Sequence, residues 1–163
     1  MAVPLTWLGH ASFRLDSPGG KRIYVDPFLT GNPKCPDAEK EPERVDLIAV
    51  THGHGDHVGE PAGVVLKLED GFTLYFAGDT NVFASMQLIG RIYEPDVAVL
   101  PIGDHYTMGP REAAVALELL GVKRCVPCHY GTFPVLTGTP DDLRKLAPGV
   151  EVITMEPGET VEL

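Results

Sequence analysis

The chain has few basic residues. Its 163 residues include 13 lysines and arginines against 23 aspartates and glutamates, which gives a formal net charge of −10 at neutral pH. Proteins that bind nucleic acid use lysine and arginine to neutralise the phosphate backbone. The basic pairs Lys21-Arg22 and Lys123-Arg124 are isolated from one another and from other basic residues. The charge balance therefore argues against a nucleic-acid partner.

Long apolar stretches are also absent. No segment reaches the roughly 20 apolar residues that a bilayer span requires, which argues against a membrane partner. The first residues lack the basic start and apolar core of a signal peptide. Cysteine is scarce, with three residues, and an odd number without an export signal is typical of a reducing compartment. We therefore expect a cytoplasmic protein.

The remaining composition is that of an ordinary globular protein. Hydrophobic residues make up 44% of the chain and charged residues 22%, which are usual values for a packed domain. A chain of this length can bury a proper core. We therefore expect one domain that spans residues 1–163.

Histidine is concentrated in one short stretch. Thr51 is followed, with intervening glycines, by four side chains of the metal-ligand type: His52, His54, Asp56 and His57. They come directly after the apolar segment 46–50, which reads as a buried strand. Imidazole and carboxylate suit zinc and its first-row neighbours, and glycine lets the backbone bend so that such ligands converge. The stretch therefore predicts a metal site, because four such side chains are hard to reconcile with an accidental surface loop.

The pattern His-x-His-x-Asp-His after an apolar strand is the signature of the metallo-β-lactamase fold hydrolases, and the chain resembles this family. Further motifs are similar to those of metal-dependent hydrolases related to ascorbate-6-phosphate lactonase, namely Trp-Leu-Gly-His-Ala at 7–11, Val-Asp-Pro-Phe at 25–28, Ala-Gly-Asp-Thr at 77–80 and Pro-Cys-His-Tyr at 127–130. The resemblance implies an α/β fold, a metallo-β-lactamase-like αββα sandwich. In it, two mixed β-sheets face each other and helices lie outside.

The sequence repeats weakly, with halves at about 1–60 and 61–163. Each half begins with a hairpin, predicted at 13–26 and at 66–79, which leads to an aspartate. Each then has a strand that starts with an aspartate, Asp46 or Asp96. The second half continues with a helix over 111–120 after Pro110, a strand over 123–127, a helix from Pro140 to about 147, and strands at 151–155 and 160–163.

The first half stops early. After Gly59 the chain enters the second hairpin directly, without the helix, strand and histidine that would mirror 111–129. In the resembled family this region includes a histidine that completes the first metal site. We therefore predict a sandwich shortened after the first metal-binding loop, with apolar sheet surface exposed and covered by self-association into a homo-oligomer.

The resemblance implies a ligand for each position of a two-metal site. His52 and His54 would bind the first ion, Asp56, His57 and His129 the second, and Asp79 would bridge the two. From its sequence context alone, Asp79 could instead cap a helix that begins near residue 81.

Other candidate residues have weaker signals. His10 and His105 are most simply histidines hydrogen-bonded near strand ends. The resemblance implies that each could instead contact substrate or support a metal ligand, and His105 could replace the missing first-site ligand. Asp26 is expected to support the site or the fold. Cys-Val-Pro-Cys-His at 125–129 matches the spacing for haem attachment and contains a Cys-x-x-Cys pair. We instead expect Cys125 and Cys128 to be small, buried apolar side chains and Cys35 to lie in a loop.

The leading functional hypothesis is a metal-dependent hydrolase for a small-molecule substrate. One or two zinc ions, with manganese or iron as alternatives, would hold a hydroxide that attacks an ester-like, lactone or phosphoester bond. Asp56 would orient this nucleophile, and His129 or His105 would assist proton transfer. The alternative is a metal-binding but catalytically silent protein of the same fold, because one first-site histidine is missing.

Overall fold

The computed structural model describes residues 2–51 and 63–163, which form two five-stranded sheets. The strands of the first sheet are β1 (Pro4–Trp7), β2 (Phe13–Asp16), β3 (Arg22–Val25), β4 (Leu47–Ala49) and β10 (Thr160–Glu162), in the order β10-β1-β2-β3-β4. The strands of the second are β5 (Val64–Lys67), β6 (Thr73–Phe76), β7 (Val97–Pro101), β8 (Arg124–Cys128) and β9 (Glu151–Val152), in that order. The helices are α1 (Met86–Tyr93), α2 (Pro110–Leu120) and α3 (Pro140–Leu146), with a 3-10 turn at Asp37–Glu39.

Helix boundaries follow local sequence signals. Pro110 is the first residue of α2, where its missing N–H costs nothing, and Gly121 ends the helix in the left-handed region with φ 71°. The Thr139 hydroxyl accepts a hydrogen bond from the Asp142 backbone N–H at 3.2 Å and so caps α3. Both helices lie where the sequence predicts them.

Strand pairing is similar in the two halves for which the sequence predicts a duplication. In each half an antiparallel hairpin, β2-β3 or β5-β6, is followed by a parallel strand, β4 or β7. The carboxylates of Asp46 and Asp96 make equivalent hydrogen bonds in the two halves. Each accepts a backbone N–H from the first residue of the neighbouring strand, Arg22 at 2.7 Å and Thr73 at 2.8 Å. The two halves therefore have the same strand pairing and the same aspartate hydrogen bond.

The C-terminal strands depart from the prediction in two ways. The segment 151–155 forms only the short β9 beside β8. The last strand, β10, does not complete the sheet of the second half, because it pairs antiparallel with β1 in the first sheet. The last strand of the second half is therefore part of the first sheet.

Two apolar clusters hold the layers together. One lies between the sheets and includes Phe13 and Val25 from the first sheet and Phe76 and Val99 from the second, all buried. The other joins the outer face of the second sheet to all three α-helices. Within the described residues the outer face of the first sheet is instead covered by the loop around Cys35, which packs on Tyr24. The αββα-type fold is confirmed, with its α-helices on one side in this part of the chain.

The prediction that segment 46–50 is buried is wrong. Leu47, Ile48 and Val50 are 48%, 55% and 61% exposed. The cause is position, because β4 is the last strand of its sheet and pairs only with β3 among the described strands. The predicted exposure of apolar sheet surface is confirmed here.

Across the described residues, no helix combines the length and the apolar character that crossing a membrane requires.

Candidate metal centre

Strand ends from both sheets meet at one edge of the sandwich. His10 follows β1, Asp26 follows β3, Asp79 follows β6 and His129 follows β8. The backbone N–H of His129 donates a 3.1 Å hydrogen bond to the carbonyl oxygen of His10. This bond joins the two sheets where the ends of their strands converge.

Three of these residues form a group that can hold a metal ion. His10, Asp79 and His129 each offer one ligand atom, and these atoms lie within 4.8 Å of one another. The His10 and His129 rings are 4.1 Å apart between centroids, and His129 Nε2 is 3.4 Å from Asp79 Oδ2. Ligand atoms that share a tetrahedral zinc ion at about 2.0–2.1 Å are about 3.3 Å apart. The distance between His129 and Asp79 is close to this value, and imidazole and carboxylate are ligands that zinc accepts.

The imidazole of His129 is held in a confined place. The residue is 6% exposed, and its Nδ1 atom is buried without a hydrogen-bond partner among the described residues. Gly103 makes this arrangement possible, since a Cβ atom there would lie 2.1 Å from the His129 carbonyl oxygen and 3.2 Å from Nδ1. The other ring nitrogen, Nε2, lies 3.4 Å from Asp79 Oδ2 and is therefore the atom that can bind an ion shared with Asp79.

Three of the six described non-glycine residues with positive φ lie at the same strand ends. His10, Asp26 and His129 adopt φ values of 58°, 44° and 55°, in the left-handed region that residues with a side chain seldom enter. Asp79 is preceded by Gly78 with φ 71°. Such conformations cost roughly 1–3 kcal/mol each and cluster at functional sites. Their occurrence at three neighbouring strand ends is evidence for a site here that is independent of the ligand chemistry.

Asp26 holds the start of the histidine-rich stretch. Its carboxylate accepts the backbone N–H of Thr51 at 2.8 Å and also accepts the Thr51 hydroxyl. Thr51 directly precedes His52 in the sequence. The expectation that Asp26 supports the site is consistent with these contacts.

A cavity opens beside the metal-ligand group. Its volume is about 480 Å³. The residues that line it are His10, Ala11, Ser12, Asp26, Pro27, Phe28, Val50 and Asp79. It therefore gives a small molecule access to two of the three residues in the group.

The structure brings together Asp79 and His129, which the sequence places far apart. The four predicted ligands of the histidine-rich loop lie outside the described residues: His52, His54, Asp56 and His57. The helix-capping alternative for Asp79 is wrong, because α1 begins only at Met86 and follows Ser85. His105 lies on an exposed loop, where its ring is 4.0 Å from that of Tyr106, and it is not part of the described metal-ligand group.

The cysteines are free. Cys125 and Cys128 are buried, as expected, and Cys35 lies in a loop, as expected, but is buried as well. Burial raises the pKa of the Cys125 thiol to about 12. Burial and, less strongly, the nearby Asp79 raise the pKa of Cys128 well above its usual value. Such thiols stay protonated at neutral pH and are therefore poor nucleophiles and poor metal ligands.

The sequence did not single out His10 as a ligand. A sequence signal was nevertheless present, because Gly9-His10 follows a strand just as Asp26, Asp79 and His129 do. What the sequence could not supply was the long-range contact between the His10 and His129 rings.

A fold of two facing mixed sheets with clustered imidazoles and carboxylates at one edge defines a metallo-β-lactamase-type protein. Comparison with known proteins agrees. A profile described as a Beta-lactamase superfamily domain matches residues 4–62, and another with the same description matches residues 57–130.

Two relatives give a more specific family. A UPF0173 metal-dependent hydrolase from Koribacter versatilis is 37% identical over 226 residues, with 97% of each chain covered. A UPF0173 metal-dependent hydrolase from Rubrobacter xylanophilus is 38% identical over 228 residues, which covers 95% of this chain and 94% of the relative. The chain belongs to this family of metal-dependent hydrolases. Both alignments are longer than the 163-residue chain, so this chain lacks a segment that the relatives have.

A solved structure supports the same conclusion. Igni18, a metallo hydrolase from Ignicoccus hospitalis, superposes with a TM-score of 0.82 at 29% identity, which covers 100% of this chain and 99% of Igni18.

Proposed function

We propose that this chain hydrolyses a small molecule at a metal centre built from His10, Asp79 and His129 together with His52, His54, Asp56 and His57 of the histidine-rich loop. The observation that carries the proposal is the convergence of His10, Asp79 and His129, with ligand atoms within 4.8 Å. These residues come from three separate parts of the chain, and local sequence alone does not bring them together.

The chemistry follows from this donor set. A bound zinc ion lowers the pKa of water to roughly 7 and so supplies a nucleophile at neutral pH. The carboxylate of Asp79 would supply a negative charge to one or two cations. Burial of His129 fixes the orientation of its imidazole ring. We expect Asp56 to orient the attacking water and His129 or the exposed His105 to give a proton to the leaving group. The bond cleaved would be an ester-like, lactone or phosphoester bond.

His10 offers a solution to the missing first-site histidine. The family resemblance leaves the first ion with His52, His54 and Asp79. The His10 imidazole is grouped with Asp79, the carboxylate proposed to be shared by both ions, and this supports a role for His10 as a further nitrogen ligand. We favour His10 over His105 for this role, because His105 is not part of the described group.

Metal analysis of matched variants tests the proposal. Protein purified without added ions should contain one or two zinc ions per chain, with manganese or iron as alternatives. Asp79→Asn should lose most of this metal, His10→Ala should lose part of it, and His105→Ala should retain the wild-type amount. Full metal content in Asp79→Asn would refute the centre. A loss in His105→Ala with none in His10→Ala would reverse the assignment between the two histidines.

The second candidate is a metal-binding protein with no catalytic activity. It is favoured by one observation, the segment present in the relatives and lacking in this chain. A panel of ester, lactone, thioester and phosphodiester substrates separates the two. Turnover that chelator abolishes and zinc or manganese restores supports the hydrolase, whereas bound metal without turnover on any substrate supports the silent protein.

The setting of this activity is also a proposal. The net charge of −10 supports a function without nucleic acid, and the three free cysteines support a cytoplasmic location. The exposed side chains of β4 support self-association into a homo-oligomer.

A further inference from the structure

The cavity beside His10 and Asp79 differs chemically from a site for charged substrates. We propose, on the basis of the hydrolase function above, that the substrate is an uncharged carboxylic ester or lactone with an apolar acyl group. Phe28 would be the side chain that selects it. This assignment narrows the substrate class from the three kinds of bond considered above.

The charges around the cavity indicate an uncharged substrate. The charged side chains that line it are the carboxylates of Asp26 and Asp79, and neither lysine nor arginine lines it among the described residues. Recognition of phosphate or carboxylate groups uses such cations. Apart from a bound metal ion, the charged groups on this wall that an anionic substituent away from the reacting bond would meet are therefore carboxylates.

The apolar lining carries the second step. Ala11, Pro27, Phe28 and Val50 form the rest of the wall together with Ser12. Phe28 and Val50 are 41% and 61% exposed, so a ligand can still cover much of their surface. Burial of apolar surface is worth roughly 25 cal/mol per Å². Contact with these side chains would therefore favour the binding of an apolar group next to the metal-ligand residues.

Phe28 is held firmly in this position. Its backbone N–H donates to the Ser12 hydroxyl at 2.8 Å, and that hydroxyl donates to the Asp26 carbonyl oxygen at 2.6 Å. Its ring approaches the His10 imidazole edge-on, with centroids 6.1 Å apart. A Cβ atom at Gly31 would lie 2.8 Å from Phe28 Cε2, so the glycine leaves room for the ring. A side chain fixed in this way can discriminate between acyl groups.

The reaction needs only water. The acyl C–O bond breaks, the hydroxyl of water joins the carbonyl carbon, and the remaining proton goes to the leaving oxygen. The products are a carboxylic acid, which ionises at neutral pH, and an alcohol, or a hydroxy acid when the substrate is a lactone. No oxidant or further reactant is required.

Chain-length dependence tests the assignment. Zinc-loaded protein should hydrolyse p-nitrophenyl esters with a kcat/KM that rises about fourfold for each methylene from acetate to hexanoate. p-Nitrophenyl phosphate and bis(p-nitrophenyl) phosphate should be much poorer substrates. Phe28→Ala should flatten the rise, and Phe28→Leu should restore most of it. Tyr93→Ala is the matched control, because it removes an exposed aromatic ring from α1 rather than from the cavity.

A binding measurement makes the result independent of turnover. Hexanoate should bind the zinc-loaded wild-type protein more tightly than acetate in calorimetric titrations, because the two anions share the same carboxylate and differ only in the apolar chain. Phe28→Ala should remove the difference, with its fold checked by circular dichroism. If hexanoate binds in this Phe28-dependent way but no ester is cleaved, the proposed reaction fails and the apolar cavity stands. If esters are cleaved without regard to chain length, the reaction stands and the cavity assignment fails. Preference for a phosphate ester that Lys34→Ala abolishes would overturn the inference and identify a cation outside the cavity wall.

Discussion

The strands β4 and β7 occupy equivalent places in the two halves, yet their surroundings are opposite. Each lies parallel to the second strand of a hairpin and begins next to an aspartate that accepts a backbone N–H from that strand. All five residues of β7 are buried between β6 and β8, whereas Leu47 and Ile48 of β4 are about half exposed. Similar apolar sequences therefore have different burial because, among the described strands, β7 has a neighbour on each side and β4 has one neighbour.

Truncation of one leucine in each strand should give the largest contrast. Leu100→Ala in β7 should lower the free energy of unfolding by about 3 kcal/mol, because it leaves a cavity in the core. Leu47→Ala in β4 should cost less than about 1 kcal/mol, since the side chain is already 48% exposed. Urea unfolding of both variants measures the difference. Equal losses would show that β4 is buried in solution.

The carboxylates that follow the hairpins provide a second comparison. Asp79 lies in the metal-ligand group, whereas Asp26 holds Thr51 just before His52. Asp26→Asn should weaken zinc binding about 10- to 100-fold, the usual effect of losing a group that orients a ligand. Competition with a chelating dye would measure this affinity. Asparagine tolerates the left-handed backbone at this position, so an unchanged affinity would mean that Asp26 supports only the fold.

The exposed face of β4 can be tested through self-association. Light scattering should show a mass that rises with protein concentration, because exposed apolar edge strands favour pairing with another chain. Ile48→Lys should raise the dissociation constant at least tenfold, or about 1.4 kcal/mol. The same substitution at the exposed Leu146 on α3 is the control. A monomer at every concentration would contradict the prediction.

The smallest effect concerns Asp46. Hydrogen bonds from the Arg22 backbone N–H and then from Arg44 lower the pKa of this carboxyl in the folded protein. The unfolded chain therefore binds the proton more readily, and the stabilisation is complete above roughly pH 5 and is lost as the pH falls through the folded pKa. Asp46→Asn should shift the urea midpoint at pH 7 but hardly at pH 2.5. An equal shift at both values would mean that ionisation of Asp46 plays no part.

Much of the fold could be predicted from local signals. Pro110, Gly121 and Thr139 mark the ends of α2 and the start of α3 in the sequence, because caps and helix stops act over a few residues. Burial of β4 and the sheet joined by β10 could not be predicted in the same way, since both depend on which strands become neighbours.

The same distinction between local signals and long-range contacts applies to the candidate site. Asp79 and His129 were predicted as ligands through motifs, and the structure brings them together. His10 lacks such a motif-based assignment, and only the folded arrangement shows its ring 4.1 Å from that of His129. Long-range geometry, rather than residue type, was the missing information.

The backbone hydrogen bond from His129 to His10 has a consequence for heat resistance. It ties one sheet to the other beside the residues proposed to hold the ion. An ion that binds only when the sheets are together shifts the folding equilibrium by mass action. The melting temperature should then depend on the free zinc concentration, and chelation should loosen the sandwich at the same edge where catalysis would occur.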